Sequence, residues 1–245
     1  YRIVCQVEQE FAMPAPISVV IPTVNSASEL PGCLEALMEG LSAGLIRELI
    51  VTDGGSADQT CLIADEAGAV VVSGAPSRGG QLQRGCKAAR GEWLLILHAD
   101  TRLSRGWSEV VETHIEAGRG RPAHFRLAFR AAGAGALWVA GWANMRSRLF
   151  GLPYGDQGLL IRRSDYEAAG GYPHQPLMED VALVWRLKGL VALSALANTS
   201  ADRYLRQGWL RRGAANLFIL ARYACGTSPE KLAKAYRKAP SPKDG

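Results

Sequence analysis

The chain has 245 residues, 48% of them hydrophobic and 21% charged, and this globular composition excludes a fully disordered protein. No run of about 18 apolar residues occurs, which argues against a membrane-spanning helix. The net charge of +5 is uneven, because the residues from Ser200 onward contain ten Lys or Arg and only three Asp or Glu. That segment is expected either to contact an anion (a diphosphate, an anionic acceptor or a membrane surface) or to be a solvated helical face.

The five cysteines are widely separated and form no Cys-x-x-Cys pair. This spacing is typical of small core residues and favours a reducing compartment. Because no signal peptide is visible, we expect a cytoplasmic protein, with peripheral contact at the inner face of the membrane as an option. Residues 1–14 show no clear pattern and are interpreted as an N-terminal extension.

Strands and helices alternate between residues 17 and 101. Apolar, β-branched runs predict strands at 17–22, 49–52, 69–73 and 93–97, and helical spacing predicts helices at 28–42, 56–67 and 81–89. Ser56 and Gln59 have the spacing of a capping box for the second helix. Because short loops join the alternating elements, we predict an α/β fold with a mostly parallel central sheet flanked by helices.

The second half of the chain is less regular. It predicts strands at 124–129, 158–162 and 191–197, and helices at 137–150, 164–169, 179–188, 210–224 and 229–238. We divide the chain into the extension 1–14, one domain at 15–200 with halves 15–101 and 102–200, and a basic helical segment 201–245 packed on that domain. Trp138 and Trp142 are expected in the core. The alternative is that their helix and the basic C-terminal helices rest on a membrane.

Polar residues follow three of the predicted parallel strands. Asn25 follows the first strand, Asp53 the second, and His98 and Asp100 the fourth. Ligands of open α/β sheets bind at the carboxyl ends of strands, so these side chains are expected at one cleft. Asp100 is suited to hold Mg²⁺ or Mn²⁺ through one carboxylate while substrate phosphates and water complete the coordination. His98 is expected to contact the ligand or join the metal, and Asp53 alone is equally typical of a turn.

Two further positions carry charges that suit this chemistry. Arg78 lies just before a predicted helix, where a guanidinium and free backbone N–H groups favour phosphate, although a surface arginine has the same pattern. Glu179 and Asp180 open another helix. Because successive helical side chains point about 100° apart, one carboxylate can enter the cleft as a general base while the other orients or caps. The simpler interpretation is a pair of acids that complement the helix dipole.

These residues together resemble the family-2 glycosyltransferases, which have the GT-A fold. The similar segments are 20–25, 53–58, 78–82, 97–101, 155–157 and 178–181, in that order along the chain. Within that family, Leu97-His98-Ala99-Asp100-Thr101 resembles a small bacterial subgroup with this metal motif, as do several residues of the C-terminal segment. The resemblance implies a central, mostly parallel sheet with a helical C-terminal segment.

The resemblance also implies roles for individual residues. Residues 15–101 would bind the nucleotide of a nucleotide-sugar donor, and residues 102–200 would bind a hydroxyl acceptor. The reaction would invert the anomeric carbon with help from a divalent cation, Mn²⁺ or Mg²⁺. Asp180 would be the base with Glu179 supporting it, Asp100 would hold the metal, and Arg211 is a candidate contact for the diphosphate. The donor nucleotide would contact Pro22, Thr23, Asn25, Asp53, Arg78, His98 and Asp100, and the acceptor side would include Asp156 and Gln157.

One position departs from the family pattern. The usual metal motif is Asp-x-Asp, and His98 stands at its first position, so we expect weaker metal binding. Two alternative functions share the fold: a nucleotidyltransferase, which would need a glycine-rich basic loop after the first strand, and a non-catalytic nucleotide-sugar-binding protein. Nucleic acid is not expected as a partner, because aromatic residues are sparse among the basic ones. The oligomeric state is not predicted.

Overall fold

The computed structural model describes residues 15–118 and 120–238, so the predicted extension at 1–14 and residues 239–245 lie outside the described part. Its first half is a regular alternation of strands and helices. The elements are β1 (Ile17–Thr23), α1 (Leu30–Ser42), β2 (Ile46–Asp53), α2 (Thr60–Glu66), β3 (Val70–Ser73), α3 (Arg78–Ala88) and β4 (Trp93–Ile96). All seven predicted elements of this half are confirmed, with boundaries that differ by a few residues. The order β3-β2-β1-β4 is parallel throughout.

The second half extends the same sheet with mixed pairing. Its elements are β5 (Arg102–Leu103), α4 (Trp107–Glu116), β6 (Ala123–Phe129), α5 (Ala134–Phe150), a 3₁₀ turn (Gly155–Gln157), β7 (Leu159–Arg162), α6 (Arg163–Ala168), α7 (Glu179–Val184) and β8 (Val191–Thr199). The described strands form one sheet in the order β3-β2-β1-β4-β7-β6-β8-β5. Strand β7 is antiparallel to both β4 and β6, whereas β6 and β8 are parallel.

Three short helices and strands were not predicted from the sequence: β5, α4 and α8 (Asp202–Gln207). Helix α4 packs against α1 through Trp107, which is fully buried and donates its indole N–H to the Ala36 carbonyl at 2.9 Å. Gly40 makes room for this indole, because a Cβ at Gly40 would lie 2.4 Å from the Trp107 ring. Contacts of one side chain with residues distant in sequence therefore position α4.

The C-terminal helices pack on the sheet-bearing body. Helices α9 (Trp209–Ala224) and α10 (Pro229–Lys238) place Ile219 and Leu232 in a buried cluster with Leu177, Met178 and Val181. Helix α9 also packs against α5. These contacts hold the basic segment beside the carboxyl ends of the strands. No helix in residues 15–118 or 120–238 combines the length and apolar character needed to cross a bilayer.

Two expectations about the helices are wrong. Trp138 and Trp142 are 59% and 38% exposed, because the buried face of α5 consists of smaller residues one turn apart, such as Val139 and Ala143. Ser56 does not cap α2, which begins at Thr60; its hydroxyl instead donates to the Asp53 carboxylate.

Candidate active site

The carboxyl ends of the parallel strands open onto two adjoining cavities. The first, here called the N-terminal cavity, has a volume of about 530 Å³ and is lined by loop residues that include Pro22, Asn25, Ser77 and Gln81. The second, the C-terminal cavity, has a volume of about 290 Å³. Both volumes are in the range of small-molecule sites or close to it. The C-terminal cavity is lined by residues that include Phe129, Tyr154, Asp156, Asp180, Tyr204, Arg206, Arg212 and Asn216. The two cavities share a wall that contains Arg78, His98, Asp100, Leu177, Arg203 and Tyr236.

Asp100 is at the junction of the two cavities. Its Oδ1 atom is buried and has no hydrogen-bond partner among the described residues. An unpaired carboxylate oxygen is costly when buried, and a cation would satisfy it. No group of three or more His, Cys, Asp or Glu side chains in the described part of the chain could enclose a metal. Asp100 therefore fits a cation that takes most of its ligands from substrate phosphates and water.

His98 lies on the shared wall as a neutral side chain. Burial, together with the nearby Arg78 guanidinium, lowers the pKa of His98 to about 3, while Asp180 opposes the shift. Gly155 packs closely over the ring, because a Cβ at Gly155 would lie 2.6 Å from His98 Nε2. The imidazole therefore forms an uncharged wall of the site at neutral pH.

Arg78 is held by an ion pair with a buried carboxylate. Its Nε atom is 3.2 Å from Glu179 Oε1, and Glu179 itself is only 1% exposed. Burial raises the pKa of Glu179 to about 7, although the Arg78 charge works in the opposite direction. Arg78 is the first residue of α3, which the Ser77 hydroxyl caps by accepting from the Gly80 N–H. The guanidinium and the start of this helix are thus presented together to both cavities.

Asp180 faces the C-terminal cavity with its carboxylate fixed at both oxygens. Oδ2 accepts a hydrogen bond from the Gly155 N–H at 2.7 Å, and Oδ1 accepts from the Val181 N–H at 2.8 Å. Each oxygen keeps a second lone pair that can receive a proton. Met178, with a φ of 62°, turns the chain into α7 immediately before this pair of acids. The two neighbouring acids serve different cavities, since Asp180 lines the C-terminal cavity and Glu179 lines the N-terminal one.

Asp156 and Gln157 do not share one environment. Asp156 lines the C-terminal cavity, and burial raises its pKa to about 6 while Arg146 opposes the shift. Gln157 is fully buried; it accepts a hydrogen bond from the Ser147 hydroxyl at 2.6 Å and donates to the Phe125 carbonyl at 3.2 Å. The expected acceptor-side position of Gln157 is therefore wrong, because the 3₁₀ turn directs it into the core.

Asp53 and Thr23 shape the loops instead of lining a cavity. The Asp53 carboxylate accepts hydrogen bonds from the Gly55 and Ser56 N–H groups and from the Ser56 and Thr23 hydroxyls. Burial tends to raise the pKa of Asp53, but these hydrogen bonds outweigh it and hold the pKa below its usual range. Because all four bonds come from the protein itself, the Asp53 carboxylate is not free to contact a nucleobase directly. Pro22 and Asn25 do line the N-terminal cavity as expected.

The arginine of α9 that faces the site is Arg212, one residue after the expected diphosphate contact Arg211. Arg211 is exposed on the outer side of α9, whereas Arg212 is buried and lines the C-terminal cavity. Neighbouring helical residues point about 100° apart, so the phase of the helix decides which arginine faces the site. Arg212, Asn216 and Ile219 are spaced by one turn and all line this cavity, a pattern that the sequence contained. Tyr236, from α10, was not predicted at all.

Comparison with known proteins agrees with this geometry. Residues 18–128 match the family model described as Glycosyl transferase family 2, and the match covers just under half of the chain. A PGL/p-HBAD biosynthesis glycosyltransferase of Mycobacterium bovis is 36% identical over 99 residues, which are 37% of this chain and 38% of the relative. A glucosyl-3-phosphoglycerate synthase of Mycolicibacterium smegmatis is 36% identical over 93 residues, 34% of this chain and 30% of the relative. The chain thus spans well under two thirds of these relatives, and the matches support a family-2 glycosyltransferase.

Solved structures show the fold. The crystal structure of S. aureus TarS 1-349 in complex with UDP has a TM-score of 0.58 and 16% identity, and covers 77% of this chain and 62% of that one. The glucosyl-3-phosphoglycerate synthase from Mycobacterium tuberculosis, in complex with Mn²⁺, UDP and phosphoglyceric acid, has a TM-score of 0.55 and 22% identity. That match covers 83% of this chain and 77% of the other. The chain therefore has the GT-A fold, as predicted.

Proposed function

We propose that this protein is an inverting glycosyltransferase that transfers a sugar from a nucleoside-diphosphate donor to an acceptor hydroxyl. The observation that carries the proposal is the pair of cavities that meet at Asp100, with the fixed carboxylate of Asp180 in the C-terminal cavity. A donor that spans the junction would have its nucleoside among Pro22, Asn25 and Gln81. Its sugar would then point toward Asp180.

The shared wall supplies the groups that a diphosphate needs. Asp100 would hold a divalent cation, Mn²⁺ or Mg²⁺, which when bound neutralises charge on the leaving diphosphate. The buried and unpaired Oδ1 atom of Asp100 supports this assignment. Arg78, oriented by Glu179 at the start of α3, would donate hydrogen bonds to a phosphate. Relatives crystallised with UDP, one of them also with Mn²⁺, agree with such a donor.

Asp180 would act as the general base. The acceptor hydroxyl gives its proton to an Asp180 oxygen while the hydroxyl oxygen forms a bond to the anomeric carbon. The bond between that carbon and the diphosphate oxygen breaks, and the electron pair leaves with the diphosphate. Attack from the side opposite the leaving group inverts the anomeric configuration. Two hydrogen bonds hold the Asp180 carboxylate for this role, and positioned bases of this kind contribute about 10²- to 10⁴-fold to rate.

The metal assignment is tested by calorimetric titration of UDP with and without Mn²⁺. We expect Mn²⁺ to tighten UDP binding to the wild type at least tenfold, and Asp100→Asn to abolish that increase, because one carboxylate is the main protein ligand. Asp202→Asn is the matched control, since Asp202 lies on the C-terminal cavity but not at the junction. Equal Mn²⁺ dependence in wild type and Asp100→Asn would contradict the assignment.

The same protein is tested for turnover of UDP-sugars. Release of UDP separates a transferase from a protein that only binds nucleotide sugars. A nucleotidyltransferase would instead release pyrophosphate from a nucleoside triphosphate. The loop Thr23-Val24-Asn25-Ser26, which borders the N-terminal cavity, contains neither glycine nor charge, so it lacks the cradle that such a reaction needs.

We also propose peripheral contact with a membrane through α5 and α9. Exposed apolar side chains recur at helical spacing along both helices, and neither helix contains Asp or Glu. An acid-free face with arginines complements anionic lipids, whereas a second copy of the chain would bring two such faces together without counter-charges. The exposed residues are Leu137, Trp138, Trp142, Met145, Leu149 and Phe150 on α5, and Leu210, Leu217 and Phe218 on α9.

A further inference from the structure

Two arginines converge on one phenol oxygen in the wall of the C-terminal cavity. Arg212 donates to the Tyr236 hydroxyl oxygen through one terminal nitrogen, and Arg203 donates to the same oxygen at 3.3 Å. The Arg212 guanidinium also lies over the Tyr236 ring, 4.5 Å from its centroid. Burial lowers the pKa of Arg212, and the charge of Arg203 lowers it further. Two positive charges are therefore held close together by a neutral group.

Arg212 has no counter-charge in the part of the chain that the structure describes. It is only 6% exposed, and among the described residues no carboxylate forms an ion pair with it. Its remaining partner is the Gln207 amide oxygen at 3.3 Å, and its Nε atom has none. A buried cation is stable only when an anion or several hydrogen bonds compensate for lost water. The cavity is the side from which an anion can reach this guanidinium.

The position of the arginines separates this anion from the donor diphosphate. Arg203 lies on the wall that both cavities share, but Arg206 and Arg212 line only the C-terminal cavity, as do Asp180 and Asn216. We infer that the acceptor carries an anionic group, a phosphate or a carboxylate, and that Arg206 and Arg212 bind it while its hydroxyl faces Asp180. This inference rests on the proposed function and adds the chemical class of the acceptor.

The arrangement suits recognition of such a group. A guanidinium donates two parallel hydrogen bonds to a phosphate or carboxylate, which gives direction as well as strength. The Asn216 amide donates to the Tyr204 hydroxyl at 3.1 Å, so neutral donors and acceptors surround the same space. Arg206 lies one turn from Arg203 on α8 and is exposed at the cavity rim, where it would meet an incoming anion first.

The probe is sulfate, a tetrahedral dianion, titrated into protein that is already saturated with UDP and Mg²⁺. The saturable rise in melting temperature gives a sulfate dissociation constant. We expect Arg212→Gln and Arg206→Gln each to weaken sulfate binding at least tenfold and to change UDP affinity less than threefold. Arg211→Gln is the control, because this neighbouring arginine is exposed outside the cavity. It should retain wild-type sulfate binding and correct for general salt effects.

Several results would overturn the inference. These are sulfate binding that Arg212→Gln leaves unchanged, an absence of saturable sulfate binding to the wild type, or a loss of UDP affinity in Arg212→Gln as large as in Arg78→Gln. The last result would assign Arg212 to the donor diphosphate. If Arg212→Gln fails to fold, Arg206→Gln tests the anion subsite instead, because it changes an exposed side chain. If UDP does not bind but sulfate binding still depends on Arg206 and Arg212, the proposed function fails and the anion subsite remains.

Discussion

Three of the carboxylates that line the C-terminal cavity have different environments. Asp180 is fixed by two backbone N–H groups, Asp100 has a buried unpaired oxygen, and Asp156 is raised in pKa. Such divergence lets neighbouring acids take separate tasks: a base, a metal ligand and a carboxyl that keeps its proton longer. The chemistry of the site thus depends on backbone contacts that a list of acidic residues does not reveal.

The pKa of Asp156 leads to a stability prediction. Burial raises it to about 6, above the value in the unfolded chain, so the folded protein binds more protons across the interval between the two values. Stability contributed by this group is therefore present at low pH and lost as the pH rises through about 6. Asp156→Asn removes this loss. We expect the melting temperature of Asp156→Asn, measured without ligand, to gain on the wild type as the pH rises from about 4 to 7.

A control separates this effect from general acid titration. Asp65→Asn changes an exposed carboxylate on α2, far along the chain from the cavities, and should track the wild type at every pH. If the curves of melting temperature against pH were parallel for Asp156→Asn and wild type, the buried and perturbed state of Asp156 would be refuted.

Prediction of single residues from the sequence succeeded where the position at the end of a strand alone decides which side chains line the cleft. Asp100 and Asn25 follow strands whose carboxyl ends must meet at one edge, so their location could be inferred. It failed for Arg211 and Gln157. A shift of one residue along a helix or a turn decides whether a side chain faces the cavity, the solvent or the core. Prediction from the sequence also could not anticipate that bonds from the Asp53 loop and from the Thr23 hydroxyl together occupy the Asp53 carboxylate, since the contact with Thr23 joins two strands.

At the scale of elements, α5 reverses the usual pattern of a surface helix, and α9 also exposes large apolar side chains. The largest apolar side chains of α5 face outward, while its inward face carries small residues and Arg146. On α9, Leu210, Leu217 and Phe218 are exposed. A contiguous apolar surface of this kind marks a contact with a partner or a membrane. The periodicity of α5 could be inferred from the sequence, but not which face is inward, because small residues and tryptophans both fit a buried face.

The membrane proposal predicts binding to anionic vesicles. We expect the wild type to sediment with vesicles of phosphatidylglycerol and phosphatidylcholine in equal parts. Trp138→Ser combined with Leu149→Ser should reduce that binding at least tenfold, because each side chain loses insertion energy of about 1.5–3 kcal/mol. Met38→Ser with Leu62→Ser is the control, since both residues are exposed on α1 and α2. Unchanged vesicle binding by the variant with Trp138→Ser and Leu149→Ser would contradict the membrane proposal. A wild-type dimer, seen by light scattering, that this variant no longer forms would also contradict it, because a second copy of the chain would then cover the apolar face.

The elements themselves were predicted unevenly. Alternation of apolar runs and helices was sufficient for residues 17–97, where the central strands β1 and β4 are buried on both faces and read as nearly continuous apolar segments. Helix α4 and strand β5 were missed because their boundaries depend on distant contacts, such as the Trp107 indole against Gly40. Strand β5 has two residues and exists through pairing with β8, which no local pattern records.

For the molecule as a whole, the two halves of the sheet supply different parts of the site. The parallel half brings Asn25, Arg78 and Asp100 to one edge. The mixed half and the C-terminal helices close the second cavity with Asp180, Tyr204 and Arg212. The first arrangement follows from the rules of parallel sheets, and the second depends on the antiparallel strand β7, whose direction the sequence does not specify. The predicted subgroup with Leu-His-Ala-Asp-Thr and the cytoplasmic location both stay predictions.

The role of Asp180 as general base is tested by its contribution to turnover. The measurement is release of UDP from a UDP-sugar that the wild type hydrolyses, compared between wild type and Asp180→Asn at saturating Mn²⁺. Because asparagine keeps the hydrogen bond from the Gly155 N–H but cannot accept the proton, we expect turnover to fall by about 10²- to 10⁴-fold while UDP affinity stays within a few fold. Wild-type turnover by Asp180→Asn would contradict the account.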